Sequence, residues 1–177
     1  MNQLKIITEK TRERIEERKK RVSPEKLERQ VEKMGPYLGP SFFEALCKEE
    51  MAMICEVKKA SPSKGMISPD FPYLEIARAY EKGGAAAISC LTEPHFFLGE
   101  DRYLQEITQT VSLPVLRKDF VIDPYMIYEA RQMGAAAVLL ICAILNDQEL
   151  ASFLRLAHSL GLDALVETHS EEEIHRA

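Results

Sequence analysis

The sequence predicts an α/β fold in which a parallel sheet is buried on both faces. From residue 51 onward, short apolar runs alternate with longer amphipathic segments. Three of the runs are entered through closely similar junctions, "EKGGAAAIS", "RQMGAAAVLL" and "HSLGLDALVE". Each is a helix end, a glycine suited to the left-handed C-cap, and a strand start. Strand starts recur about every 20–35 residues, the size of a βα unit. Continuous apolar strands flanked by amphipathic helices belong to parallel sheets, whose crossovers cover both faces.

The first 45 or so residues read as helical. "TEKTRERIEERKKR" interleaves Glu with Arg and Lys at helical spacing, the pattern of a solvated helix laced with i,i+4 pairs. Leu4, Ile7, Thr11 and Ile15 form a narrow stripe that can lean on a larger body. Ser23-Pro24-Glu25 restarts a helix, with Ser as N-cap and Pro at the first helical position. Gly35-Pro36 and Gly39-Pro40 break the chain, and "SFFEALCK" is one more short helix.

Five strands follow: "MAMICEVK", "AAAISCLTE", "LPVLRKDF", "AAAVLLIC" and "LDALVETH". The helices between them are "FPYLEIARAYEKG", "EDRYLQEITQTV", "DPYMIYEARQMG" and "LNDQELASFLRLAHSLG", and "SEEEIHRA" begins another. Two architectures share this pattern, an open doubly wound sheet and a (β/α)₈ barrel. A barrel takes about 250 residues. The reading is therefore one incomplete domain, with a helical extension over 1–48 and five βα units over 49–177, about three units short of closure. Such an open sheet is expected to expose apolar edges and to self-associate.

Composition narrows the function classes. The chain is 46% hydrophobic and 29% charged, ordinary for a globular protein, and no apolar run approaches a membrane span. Net charge is −5, yet residues 1–30 hold ten Lys/Arg against six Glu. The interleaving of those charges argues against nucleic-acid binding, and the polar N-terminus argues against a secretory signal. Cys47, Cys55, Cys90 and Cys142 lie far apart without metal-ligand spacing, so they read as buried hydrophobes in a reduced, cytoplasmic setting.

The chemistry lies where charges break apolar strands. Ile54, Glu56 and Lys58 alternate onto one face of the first strand. Leu116, Lys118 and Phe120 do so at the end of the third, and Leu165, Glu167 and His169 at the end of the fifth. Function in parallel α/β folds gathers at the C-terminal strand ends, and in a barrel alternate strands fill the same interior layer. Glu56, Lys58, Lys118 and Glu167 are therefore expected in one pocket, paired with each other or with a substrate, as general acid–base work needs. The alternative is four strand-end charges reaching into solvent. "KASPSKG" is either a plain turn or a loop over the site, with Ser63 and Lys64 suited to an anionic group. Phe96, Phe97 and Phe120 follow strand ends as core or as an apolar slot. His95, His158 and His175 read as structural or solvated, and His169 as a residue at the margin of the site.

Several segments together resemble indole-3-glycerol-phosphate synthase. "CEVKKASPSKG" is similar to that family's first-strand motif. "LTEPHFFLG", "PVLRKDFVIDPYMIYEARQMGAAAVLLI" and "LDALVETHSEEEI" are similar to its later strand regions, in the right order. The resemblance implies a (β/α)₈ TIM barrel and a lyase of tryptophan biosynthesis. Its reaction is ring closure of 1-(2-carboxyphenylamino)-1-deoxyribulose 5-phosphate with loss of carbon dioxide and water, and it implies neither metal nor organic cofactor. By it, Lys118 matches the general acid, Lys58 the lysine at the substrate carboxylate, and Glu56 and Glu167 the catalytic glutamates. Ser61 and Pro62 match the first-strand loop, and Phe97, Phe120 and Leu139 the slot for the anthranilate ring. Glu100 stands where the family often has Ser. The family's phosphate site and an Asn-Arg segment belong to strands six to eight, beyond these residues. The chain alone is therefore expected to bind the phosphorylated substrate poorly and turn over little. Rival readings are another phosphate-binding barrel enzyme, such as an isomerase or Schiff-base aldolase, and a non-catalytic half-barrel fragment. Oligomeric state is not legible.

Overall fold

A computed structural model of the protein describes residues 3–48 and 51–177. Met1, Asn2, Glu49 and Glu50 lie outside the described residues, and so does the expected boundary between residues 48 and 49.

Three helices come first: α1 (Gln3–Arg21), α2 (Pro24–Glu32) and α3 (Phe42–Cys47). The Ser23 side chain accepts the Lys26 amide, with Pro24 at the first helical position, as its sequence requires. Ser41 caps α3 by accepting the Glu44 amide. On α1 the expected stripe is real, with Ile7, Thr11 and Ile15 buried. The charges differ from expectation. The intrahelical pairs are i,i+3 (Lys10–Glu13, Lys19–Glu16, Lys20–Glu17), while Arg14, Arg18 and Lys19 reach acids more than 100 positions away. This helix is not simply solvated; one charged face is docked.

After β1 (Ile54–Val57), the segment read as a loop forms a small antiparallel hairpin, β2 (Ala60–Ser61) and β3 (Gly65–Met66). Gly65 takes the left-handed conformation that the turn needs. The alternation then runs as read: α4 (Tyr73–Lys82), β4 (Ala87–Leu91), α5 (Asp101–Thr110), β5 (Val115–Lys118), α6 (Pro124–Gln132), β6 (Ala137–Ile141), α7 (Asp147–Ser159), β7 (Asp163–Glu167) and α8 (Glu171–Arg176). Gly84, Gly134 and Gly161, one in each repeated junction, all have positive φ. An Asn146–Glu149 capping box starts α7.

The sheet decides between the two architectures. Its order is β1-β4-β5-β6-β7, every pair parallel. Each strand adds to the same side of the last, whereas a doubly wound sheet reverses at a switch point. The two strand faces also pack differently. Val57, Ile88, Cys90, Val115, Val138 and Leu140 pack into one large core with residues of α4–α7. Ala87, Leu116, Ala137, Leu139 and Ile141 form a second, smaller cluster plugged by Phe42 of α3. Helices cover one face and the other is an interior face, which makes these five units part of a (β/α)₈ barrel. Met51, Met53, Ile54 and Ile174 are exposed, on or beside the outermost elements.

Candidate active site

The predicted charges lie on the interior face. Glu56 is in register with Ser89 of β4, and Ser89 with Leu116 of β5, so Glu56 belongs to the layer that contains Leu116. Lys58, two residues on, is hydrogen-bonded and ion-paired to Glu56, as two side chains on one strand face must be to meet. Lys118, at the end of β5, donates to Glu167, at the end of β7, over 3.0 Å. That contact crosses the intervening β6, whose Leu139 is buried in the interior cluster. The four charged side chains are each 29–34% exposed, open to solvent at the mouth yet each held by an opposite charge. The Glu167 carboxylate also lies 3.6 Å from the exposed His169 ring.

The apolar residues assemble beside these pairs. Phe97 and Phe120 lie with ring centroids 6.1 Å apart and planes inclined at 38°. Phe120 packs against the cluster that contains Leu139. Phe97 shares a cleft of about 450 Å³ with Lys58, Ser61, Pro62, Ser63 and Lys64. Ser61 shapes the hairpin turn by accepting the Lys64 amide at 3.2 Å. Among the described residues no cluster of His, Cys, Asp and Glu is placed to hold a metal ion.

A second set of charges was not anticipated. Arg117, on the opposite parity to Lys118, is fully buried. It donates to the Met126 carbonyl (2.6 Å), Glu129 (3.1 Å) and Thr92 (3.3 Å). Asp119, equally buried, accepts from Arg14 of α1 and from Thr92, both at 2.8 Å, and from the Phe120 amide. Arg18 joins Asp101 (2.7 Å) and Glu129 (2.8 Å) to the set. Burial alone would push the Asp119 carboxyl up, but Arg14 and Arg117 outweigh it and hold it below the usual carboxylate range. Burial likewise opposes the Arg117 charge, and Glu129, Asp101 and Asp119 restore it. Lys118 is thus flanked in sequence by two charges locked behind the sheet. The available signal was an Arg and an Asp at helix-facing positions of a strand, where an unpaired charge is too costly to keep.

A sequence model described as indole-3-glycerol phosphate synthase matches residues 4–177. The chain belongs to that family. The synthase of Ruminiclostridium cellulolyticum is 51% identical over 171 residues, which cover 97% of this chain and 66% of the relative. That of Endomicrobium trichonymphae is 64% identical over 137 residues, covering 77% and 53%. That of Lachnoclostridium phytofermentans is 46% identical over 185 residues, covering 98% and 68%. The chain therefore spans between half and about two thirds of the length of these synthases. Family membership fits the consecutive strand order and the barrel interior described above. No helix among the described residues is long and apolar enough to cross a membrane.

Proposed function

We propose that these residues serve the indole-3-glycerol phosphate synthase reaction. The single observation that supports this most is the Lys118–Glu167 pair, which joins the ends of β5 and β7 on the barrel interior. It stands on the same interior face as Glu56–Lys58 and beside the Phe97–Phe120 wall. The substrate carries an anthranilate ring, an acyclic sugar carbonyl and a phosphate. The ring fits against Phe97, Phe120 and Leu139. Lys118 donates a proton to the carbonyl as the new carbon–carbon bond closes the ring. Lys58 faces the anthranilate carboxylate, which leaves as carbon dioxide and so restores the electron pair to the ring. Glu56 and Glu167 take and return protons as water departs. An ammonium donor beside carboxylates stabilises charge that develops in both senses during these steps. Ser61, Pro62 and Lys64 flank the same cleft. All four cysteines are free; Cys90 and Cys142 are buried as expected, whereas Cys47 is exposed and Cys55 partly exposed.

The test uses two proteins: the 177-residue chain, and the same chain continued by the last third of the R. cellulolyticum synthase. Product formation from 1-(2-carboxyphenylamino)-1-deoxyribulose 5-phosphate is followed in both. The continued chain turns over and the shorter chain does so little or not at all. A folded continued chain without turnover refutes the assignment, and near-normal turnover by the short chain refutes the division of labour. Borohydride with substrate present leaves Lys118 unmodified. A trapped covalent adduct there establishes a Schiff-base aldolase instead.

A further inference from the structure

We propose that Glu93 is a positioning residue for the aromatic slot: its carboxylate fixes the loop that carries Phe97. The proposal rests on the reading of the slot given above and adds to it the part that sets its geometry.

Glu93 lies two residues beyond the end of β4 and is fully buried. Its Oε1 accepts the His95 amide at 3.0 Å, and its Oε2 accepts the amides of Phe96 (2.7 Å) and Phe97 (3.1 Å). Its own carbonyl accepts the Gly99 amide at 2.8 Å. Three consecutive backbone donors therefore converge on one side chain, which accepts from all of them, as a carboxylate can. The loop is tightly folded back on the strand, since a Cβ at Gly99 would lie 2.5 Å from the Leu91 carbonyl oxygen. Leu98, immediately after Phe97, sits at φ 51°, a left-handed conformation that a branched side chain rarely adopts. Strain of this kind persists only where surrounding contacts over-determine the backbone, and it clusters at binding sites. The contacts here are those of Glu93, and the ring they place is the one facing Phe120.

A buried acid is costly, and it is kept here because the three amides of residues 95–97 need an acceptor that an apolar residue would not supply. What the acid adds is direction. It satisfies the amides of a loop turned toward the mouth and leaves Phe97 one orientation. The opposite wall is fixed in a parallel way, because Asp119 accepts the Phe120 amide at 2.8 Å. Each wall of the slot thus hangs from one buried carboxylate.

The experiment uses the 177-residue chain, with wild type, Glu93→Gln, Phe97→Ala and the double variant compared by NMR. The probe is 2-aminobenzoate, and the readouts are the Phe97 and Phe120 ring signals. In Glu93→Gln the ring-to-ring NOEs weaken and the probe's Kd rises about tenfold. The double variant binds no more weakly than Phe97→Ala, because Glu93 acts through that ring. A variant that lowers the urea midpoint yet keeps both the NOEs and the Kd of the folded protein makes Glu93 merely structural and overturns the proposal. If the probe moves neither ring in wild type, the assignment of the slot to an anthranilate ring falls. Glu93 is then judged by the NOEs alone, with loss upholding its role and retention refuting it. Should Glu93→Gln fail to fold, wild type decides: the amides of residues 95–97 must exchange at least about tenfold more slowly than an open chain, and unprotected exchange overturns the proposal.

Discussion

Two faces of one strand end carry opposite designs. At the tip of β5, Lys118 faces the barrel interior in a pair that is about 30% exposed on both sides. Its neighbours Arg117 and Asp119 face the helical layer, at 0% and 1% exposure, with all their partners inside the protein. The inward charge keeps contact with water and a single opposite charge, so a substrate can replace either. The outward charges are spent on geometry. They tie β5 to α1 and α6 and leave Lys118 no freedom to twist outward. Exposure and burial of charge are thus separated by one residue step, using nothing more than the two-residue period of a strand.

This contrast can be broken by substitution. The largest effect is expected on the inner face, as lost catalysis. In the chain continued by the final third of a relative, Lys118→Met lowers turnover about 10²–10⁴-fold while leaving the unfolding midpoint nearly unchanged. A turnover loss below about tenfold removes Lys118 from the role of general acid. On the outer face the loss appears as stability. Arg117→Met takes one of two arginine partners from each of Glu129 and Asp119 behind the sheet and costs about 3 kcal/mol in urea unfolding of the 177-residue chain. A cost under about 1 kcal/mol means that the buried set is not cooperative.

Acid sharpens the same difference. The Asp119 carboxyl is held below its ordinary value when folded, with burial overcome by Arg14 and Arg117. Its contribution is therefore present above the unfolded value, about 3.9, and is lost as pH falls through the lower folded value. The stability gap between wild type and Asp119→Asn is expected to narrow as pH drops below about 4, measured by urea unfolding at each pH. A constant gap contradicts the ion-pair account. The smallest effect belongs to the inner pair at β1: Glu56→Gln changes stability by about 1 kcal/mol or less, because a pair about one-third exposed is screened by water. A much larger cost, read in the same unfolding curves, puts Glu56 with the buried set and ends the comparison.

The inner face was legible because a charge inside an apolar run stands out at period two. Glu56, Lys58, Lys118 and Glu167 stand out by strand parity alone, independently of any likeness to a family. The strand order was not legible: the alternation of elements fits both a barrel and an open sheet, and only the pairing β1-β4-β5-β6-β7 separates them. Arg117 and Asp119 were passed over for a physical reason. Arg117 meets the Met126 carbonyl and Glu129 9 and 12 positions on, but Asp119 meets Arg14 105 positions away, and no local pattern announces a contact at that distance. Glu93 was hidden differently. Its partners are backbone amides, which every residue but proline carries and no letter of the sequence records. The hairpin after β1 was read only as a turn or loop, because two-residue strands leave too few side chains to show alternation.

The link from Arg14 to Asp119 has a consequence for the chain as it is made. Its two ends are 105 positions apart, so the first helix leaves the ribosome long before the acid that receives it exists. At typical synthesis rates the interval is roughly 5–20 s. For that time Ile7 and Ile15, which the finished protein buries, have no surface to cover them. The docking of α1 against Asp119 therefore waits for β5, however early the helix itself can form.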